Sequence, residues 1–107
     1  MKTIEACCPP VLAAPLDVEG ANELAGAFKV LADPVRLRLL SLIAASPGGS
    51  ACSCELTEPV GKSQPTVSHH LALLADAGLI ERRRVGKWVQ CSVVPARLAV
   101  LRDVLGG

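Results

Sequence analysis

A mainly α-helical fold with one β-hairpin is predicted by three observations. Apolar residues recur at helical spacing through most of the chain, in stretches separated by Asp-Pro, Pro-Gly-Gly and single glycines. Two short runs, 79–84 and 87–94, flank a tight turn at Val85-Gly86. Aromatic residues are nearly absent, with Phe28 and Trp88 alone, so packing falls to Leu, Val and Ala, which suits helices. The 107 residues suffice for one compact domain. A helical core of that size is marginal by itself, so a homodimer is the expected supplement.

The elements follow in order. Residues 1–16 read as a flexible arm carrying Cys7 and Cys8, because Pro9, Pro10 and Pro15 favour extended conformations. About eight such residues reach roughly 25 Å, enough to approach a second subunit. Residues 17–107 form the folded domain. Asp17 to Ala32 is helix one, with Ala21, Leu24, Ala25, Phe28 and Leu31 as its apolar stripe. Asp33 caps a second helix and Pro34 opens it. Its core face is expected at Leu37, Leu40 and Ala44, flanked by Leu39, Leu42 and Ile43. Arg36 and Arg38 leave that face, toward solvent or a phosphate.

Cys52 to Val60 is expected to be a short or bent third helix. Pro59 lacks the amide that would bond back to Glu55, and Gly61 ends the helix. Ser63 caps a fourth helix that runs to about Ala77, with Val67, Leu71 and Leu74 inward and Gly78 as terminator. Pro95 opens a last helix whose Leu98, Leu101, Val104 and Leu105, together with helix one, suggest a dimer surface. Helix, short helix, turn, longer helix and basic hairpin is the order of a winged helix-turn-helix.

The fourth helix carries the chemistry of a groove reader. Gln64 can bond adenine bidentately, and Ser63, Thr66, Ser68, His69 and His70 are short enough to touch base edges or phosphates. The free amides at the helix start favour a phosphate. Arg82, Arg83, Arg84 and Lys87 on the wing would meet backbone or minor groove, which gives affinity rather than sequence choice. The net charge of +1 says little, but its distribution does. Five basic residues face two acidic ones between Gly61 and Cys91, whereas the segment before Phe28 is acidic. Adjacent histidines point to opposite sides of a helix, so His69 and His70 are not expected to share a metal. An enzyme is not indicated: the sequence offers no oriented acid–base partner and no phosphate-cradling glycine loop.

Three segments, in order and spacing, resemble the ArsR/SmtB family of bacterial metalloregulators. They are Asp33-Pro34-Val35-Arg36-Leu37-Arg38-Leu39-Leu40, Cys52-Ser53-Cys54-Glu55-Leu56, and Ser63-Gln64-Pro65-Thr66-Val67-Ser68-His69-His70-Leu71. The resemblance covers about residues 21–94. It implies a homodimeric winged helix that represses a resistance operon and leaves its operator, a double-stranded DNA, when a toxic ion binds. It also carries Gln64, Thr66, Ser68 and His69 over as recognition contacts.

The resemblance places Cys52 and Cys54 where arsenic, cadmium and lead sensors of the family carry a Cys-x-Cys pair. Some of those sensors add cysteines from the N-terminal arm, as Cys7 and Cys8 would here. Soft thiolates select soft ions. As(III) or Sb(III), held by three thiolates, is the expected inducer. Cd(II) or Pb(II) is the alternative, and a thiol redox switch on the same scaffold is a further one. On a regular helix, residues two apart point about 200° away from each other. Cys52 and Cys54 therefore both chelate only if the helix starts between them or is distorted. Cys91 alternates with apolar neighbours in the hairpin and reads as a small core residue. The last helix has no histidine after Leu98, so the family's His–carboxylate site has no counterpart. Without a secretion signal or a long apolar stretch, the chain reads as cytoplasmic, with no membrane contact. There the five cysteines are expected as ligands or reactive thiols rather than disulfides.

Overall fold

The computed structural model describes residues 15–105; Cys7, Cys8 and nearly all of the arm lie outside the described residues. Among the described residues five helices and three strands follow one another. They are α1 (Val18–Leu31), α2 (Pro34–Ala45), β1 (Ser50–Cys52), α3 (Thr57–Val60), α4 (Gln64–Asp76), β2 (Ile80–Val85), β3 (Trp88–Val93) and α5 (Pro95–Val104). Short 3-10 turns at Pro47–Gly49 and Ser53–Glu55 flank β1. The architecture is mainly helical with a small antiparallel sheet, as predicted, and the sheet order is β1-β3-β2.

Side-chain caps set the helix starts. Asp17 Oδ1 accepts from the Gly20 amide at 2.6 Å, and Asp33 Oδ1 from Val35 at 2.9 Å and Arg36 at 3.1 Å. Ser63 accepts from Thr66 at the start of α4. Gly61, at φ 67, stops α3 in the left-handed region that glycine adopts without a Cβ penalty.

The core gathers residues from every element, chiefly Leu24 and Ala27 from α1, Leu39 and Ile43 from α2, and Val67, Leu71 and Leu74 from α4. Leu79, just before β2, closes it with Ile80 and Cys91 of the sheet, and Val100, Leu101 and Val104 from α5. Leu16, at the end of the arm segment, packs against its edge.

Several expectations are corrected. On α1, Ala21 and Ala25 are exposed, and Ala27 is buried with Leu24. Alanines are too small and too frequent here to mark a face. On α2, Leu39 and Ile43 are fully enclosed while Leu37 is half exposed and Ala44 is exposed. Leucines surround that helix, so periodicity alone points in two directions. Residues 50–52 are a strand, not the start of a helix; α3 begins only at Thr57 and lasts one turn. The hairpin turn is Gly86-Lys87, since Val85 pairs with Trp88. Gly86 has φ 63, which a two-residue hairpin turn demands at this position. On α5, Leu101 and Val104 pack inside their own chain and are not part of a dimer surface; Leu105 is exposed.

Candidate nucleic-acid interface and thiol site

The start of α4 presents its polar groups outward. Residues 61–66, Ser68 and His69 are exposed, while Val67 and Leu71 anchor the opposite face at essentially zero exposure. Gln64 Nε2 donates to Ser68 Oγ at 3.1 Å, one turn along, and Ser63 Oγ donates to Thr66 Oγ1 at 3.0 Å. These local bonds tie neighbouring polar groups of the helix start together, with Gln64 and Ser68 along one side of the exposed surface and Thr66 and His69 along another. Gln64, Thr66, Ser68 and His69 are all exposed on the first two turns of α4.

His70 departs from that group. It is half-buried, and its Nδ1 lies 3.1 Å from Arg36 Nη1. A guanidinium only donates, so Nδ1 is the acceptor and the ring faces α2 rather than open solvent. Arg36 is equally engaged: its Nε donates to the Val30 carbonyl at 2.6 Å, and Nη1 stands 3.9 Å from Asp33. The expectation that Arg36 points toward solvent or a phosphate is corrected. It joins the end of α1, the start of α2 and the reading helix. The Arg36 amide, with help from the Arg36 charge and the Val35 amide, holds the Asp33 carboxyl below the usual carboxylate range, against a smaller upward push from desolvation.

The wing is solvated from Glu81 to Trp88, so Arg82, Arg83, Arg84 and Lys87 are all exposed. Side chains alternate across a strand. Arg82 and Arg84 lie opposite Cys91 and Val89 and share their face. Arg83 lies opposite Gln90 and belongs to the other face. Lys87 Nζ sits 5.4 Å from the centroid of the Trp88 ring, within cation–π range.

Cys52 ends β1 and caps the following turn. Its sulfur accepts from the Cys54 amide at 3.3 Å, and Glu55 Oε1 accepts from the Cys52 amide at 2.9 Å. Passing from extended backbone into a tight turn brings the two sulfurs to one side. The Cα atoms are 5.2 Å apart, and the sulfurs are joined as a disulfide. The expectation of free thiols is corrected for this pair. The geometric condition for chelation is nevertheless met, because the regular helix starts only after both residues. The turn lies on the sheet: Cys52 pairs with Gln90 of β3, and Gln90 pairs with Arg83 of β2. The same turn packs against α4.

Cys91 is the free cysteine among the described residues, fully enclosed as expected of a core residue. Burial pushes its thiol pKa up, partly opposed by the Arg82 charge. Two features escaped the sequence reading. Gln90 Nε2 donates to Ser50 Oγ at 2.8 Å and fastens β1 to the wing strand, and Trp88 stands beside the cysteine pair. The serine and glutamine lie forty residues apart, and no local pattern signals their pairing.

Among the described residues no helix is long and apolar enough to cross a membrane. The family model described as "Bacterial regulatory protein, arsR family" matches residues 33–82. The arsenical resistance operon repressor of Staphylococcus aureus is 36% identical over 86 residues, covering 78% of this chain and 75% of that protein. The Escherichia coli (strain K12) protein of the same name is 44% identical over 68 residues, but the chain spans only 56% of its length. Among solved structures, the AntR antimony-specific transcriptional repressor superposes with TM-score 0.70 at 33% identity, over 86% of this chain and 82% of that one. A homodimeric winged helix-turn-helix DNA-binding domain from Mycobacterium bovis gives TM-score 0.68 at 25% identity, over 86% of this chain and 85% of that one. The fold is therefore a winged helix-turn-helix, and this chain belongs to the ArsR family of bacterial transcriptional regulators.

Proposed function

We propose that this chain is a cytoplasmic, homodimeric repressor of a metalloid resistance operon, released from its operator by As(III) or Sb(III) bound to cysteine thiolates. One observation carries the reading: the sulfurs of Cys52 and Cys54 converge on a turn that packs against both the reading helix and the wing sheet. The names of relatives that repress arsenical resistance operons, and of an antimony-specific structural neighbour, support the choice of ion. Cys7 or Cys8 would supply the third thiolate. Gln64, Thr66, Ser68 and His69 read the major groove, with Ser63 at the helix start and Arg82, Arg83, Arg84 and Lys87 on the backbone. His70 acts from behind, by orienting the helix.

Coupling runs along the row Cys52–Gln90–Arg83 as well as through α4. A coupling of about 3 kcal/mol weakens operator binding about a hundredfold. Replacing Cys52 and Cys54 together with serine leaves operator binding intact and abolishes release by arsenite. Normal release from that variant refutes the assignment.

A second reading rests on the same closeness of the two sulfurs. Two thiols give up two electrons and two protons to a peroxide, and the resulting bond locks the turn. Loss of two hydrogens by mass under mild peroxide, together with operator release and no arsenite response, selects it over the first.

A further inference from the structure

We propose that the Cys52–Cys54 pair takes an As(III) centre bearing one organic group, preferably an aryl ring, and that Val85 and Trp88 form the seat for that group. The inference rests on the reading of Cys52 and Cys54 as arsenic ligands and extends it to the class of compound bound. A cavity of about 250 Å³ opens beside the two sulfurs, lined by Cys52, Cys54, Val85, Trp88 and Gln90. The strand register explains why these residues meet. Cys52 pairs with Gln90, Val85 pairs with Trp88, and the alternation places all four on the sheet face turned away from the core.

Val85 and Trp88 are each about half exposed, 50% and 52%, and are the exposed large apolar groups of the wing. Apolar surface left open beside a reactive pair suits a ligand that brings apolar surface of its own. Volume allows an aromatic ring: an apolar cavity of about 150 Å³ already accepts benzene. The indole offers offset or edge contact to such a ring, and the Lys87 ammonium lies 5.4 Å from its centroid.

Valence agrees with the two-sulfur set. Inorganic As(III) has three positions to fill, and two sulfurs leave one open. An organic substituent already occupies that third position. In the reduced protein, R–As(OH)2 condenses with both thiols. Two As–S bonds form, two As–O bonds break, and each thiol proton leaves with a hydroxyl as water. Arsenic keeps its oxidation state.

The test uses the phosphine-reduced full chain, titrated calorimetrically with phenylarsenite and with arsenite, and operator release followed in parallel. In a Cys7→Ser/Cys8→Ser variant, phenylarsenite is expected to bind one per chain and still release the operator, whereas arsenite weakens at least about tenfold. Trp88→Ala is expected to lower phenylarsenite affinity about tenfold, with arsenite changed less than about twofold. Val85→Ala shifts the same ratio in the same direction and guards against a folding defect at the tryptophan. Equal losses for both compounds, or no loss for phenylarsenite, overturn the seat while leaving the thiol assignment standing. Undiminished binding of both compounds to Cys52→Ser/Cys54→Ser refutes the thiol assignment itself.

Discussion

The Arg36 cluster makes the sharpest quantitative test of how the reading helix is held. In Arg36→Ala two interactions disappear: the bond from Nε to the Val30 carbonyl at 2.6 Å and the contact from Nη1 to His70 Nδ1 at 3.1 Å. The Arg36 side chain is only 16% exposed, so water replaces these partners poorly. A hydrogen bond involving a charged group contributes about 1.5–3 kcal/mol. The contact with Asp33 at 3.9 Å adds little. The loss is therefore about 3 kcal/mol, or a drop in Tm of more than about 10 °C for a domain of this size. His70→Ala removes one of the two contacts and costs about 1.5 kcal/mol. The double variant should show a coupling of about 1 kcal/mol between the pair. Urea denaturation of the four proteins, at one fixed protein concentration, reads these values. A coupling below about 0.3 kcal/mol refutes the contact. Operator titrations across salt separate structure from DNA contact. An Arg36 that touches no phosphate leaves the slope of log K against log salt unchanged, and a slope reduced by about one refutes the buried role.

Other outcomes follow from the same structure. Gln64→Ala should weaken specific operator binding by about 1–3 kcal/mol without changing thiol titration, as read by gel shift and sulfhydryl titration. Arg83→Ala should reduce the salt slope by about one while sparing sequence preference. Gly86→Ala should cost about 1 kcal/mol in denaturant, through strain alone, because φ is 63 and the space around a Cβ is open. The folded-state pKa of Cys91 is raised by burial, so its contribution is intact below the unfolded thiol value of about 8.5 and is lost as pH rises through the folded value. The alkaline limb of the stability curve should therefore be shallower in Cys91→Ala.

Local chemistry was the legible part of this chain. Asp33, Ser63 and Gly61 mark element ends because each acts on backbone within three or four residues of itself. The recognition surface was legible for the same reason: Ser63 to His69 share one helix start. What stayed hidden depends on distant partners. Leu39 and Ile43 could not be told from Leu37 and Leu40, since the choice between them is made by α4 and the sheet. Strand β1 is three residues long and exists only by pairing with β3. With it went the true setting of Cys52 and Cys54, which lie at a strand end and a turn and so converge where a helix would have parted them. His70 looked equal to His69 until Arg36 was found beside it.

The Cys52–Cys54 turn hangs on the outside of the sheet, and of its three residues only Ser53 points into the protein. Chemical preference and the packing of the core are thus carried by different atoms. Replacing the two sulfurs, or the indole next to them, asks nothing of Leu39, Ile43 or Leu71. A scaffold arranged this way can trade one toxicant for another by small surface edits, and it is open to the same retuning at the bench as a reporter for chosen pollutants.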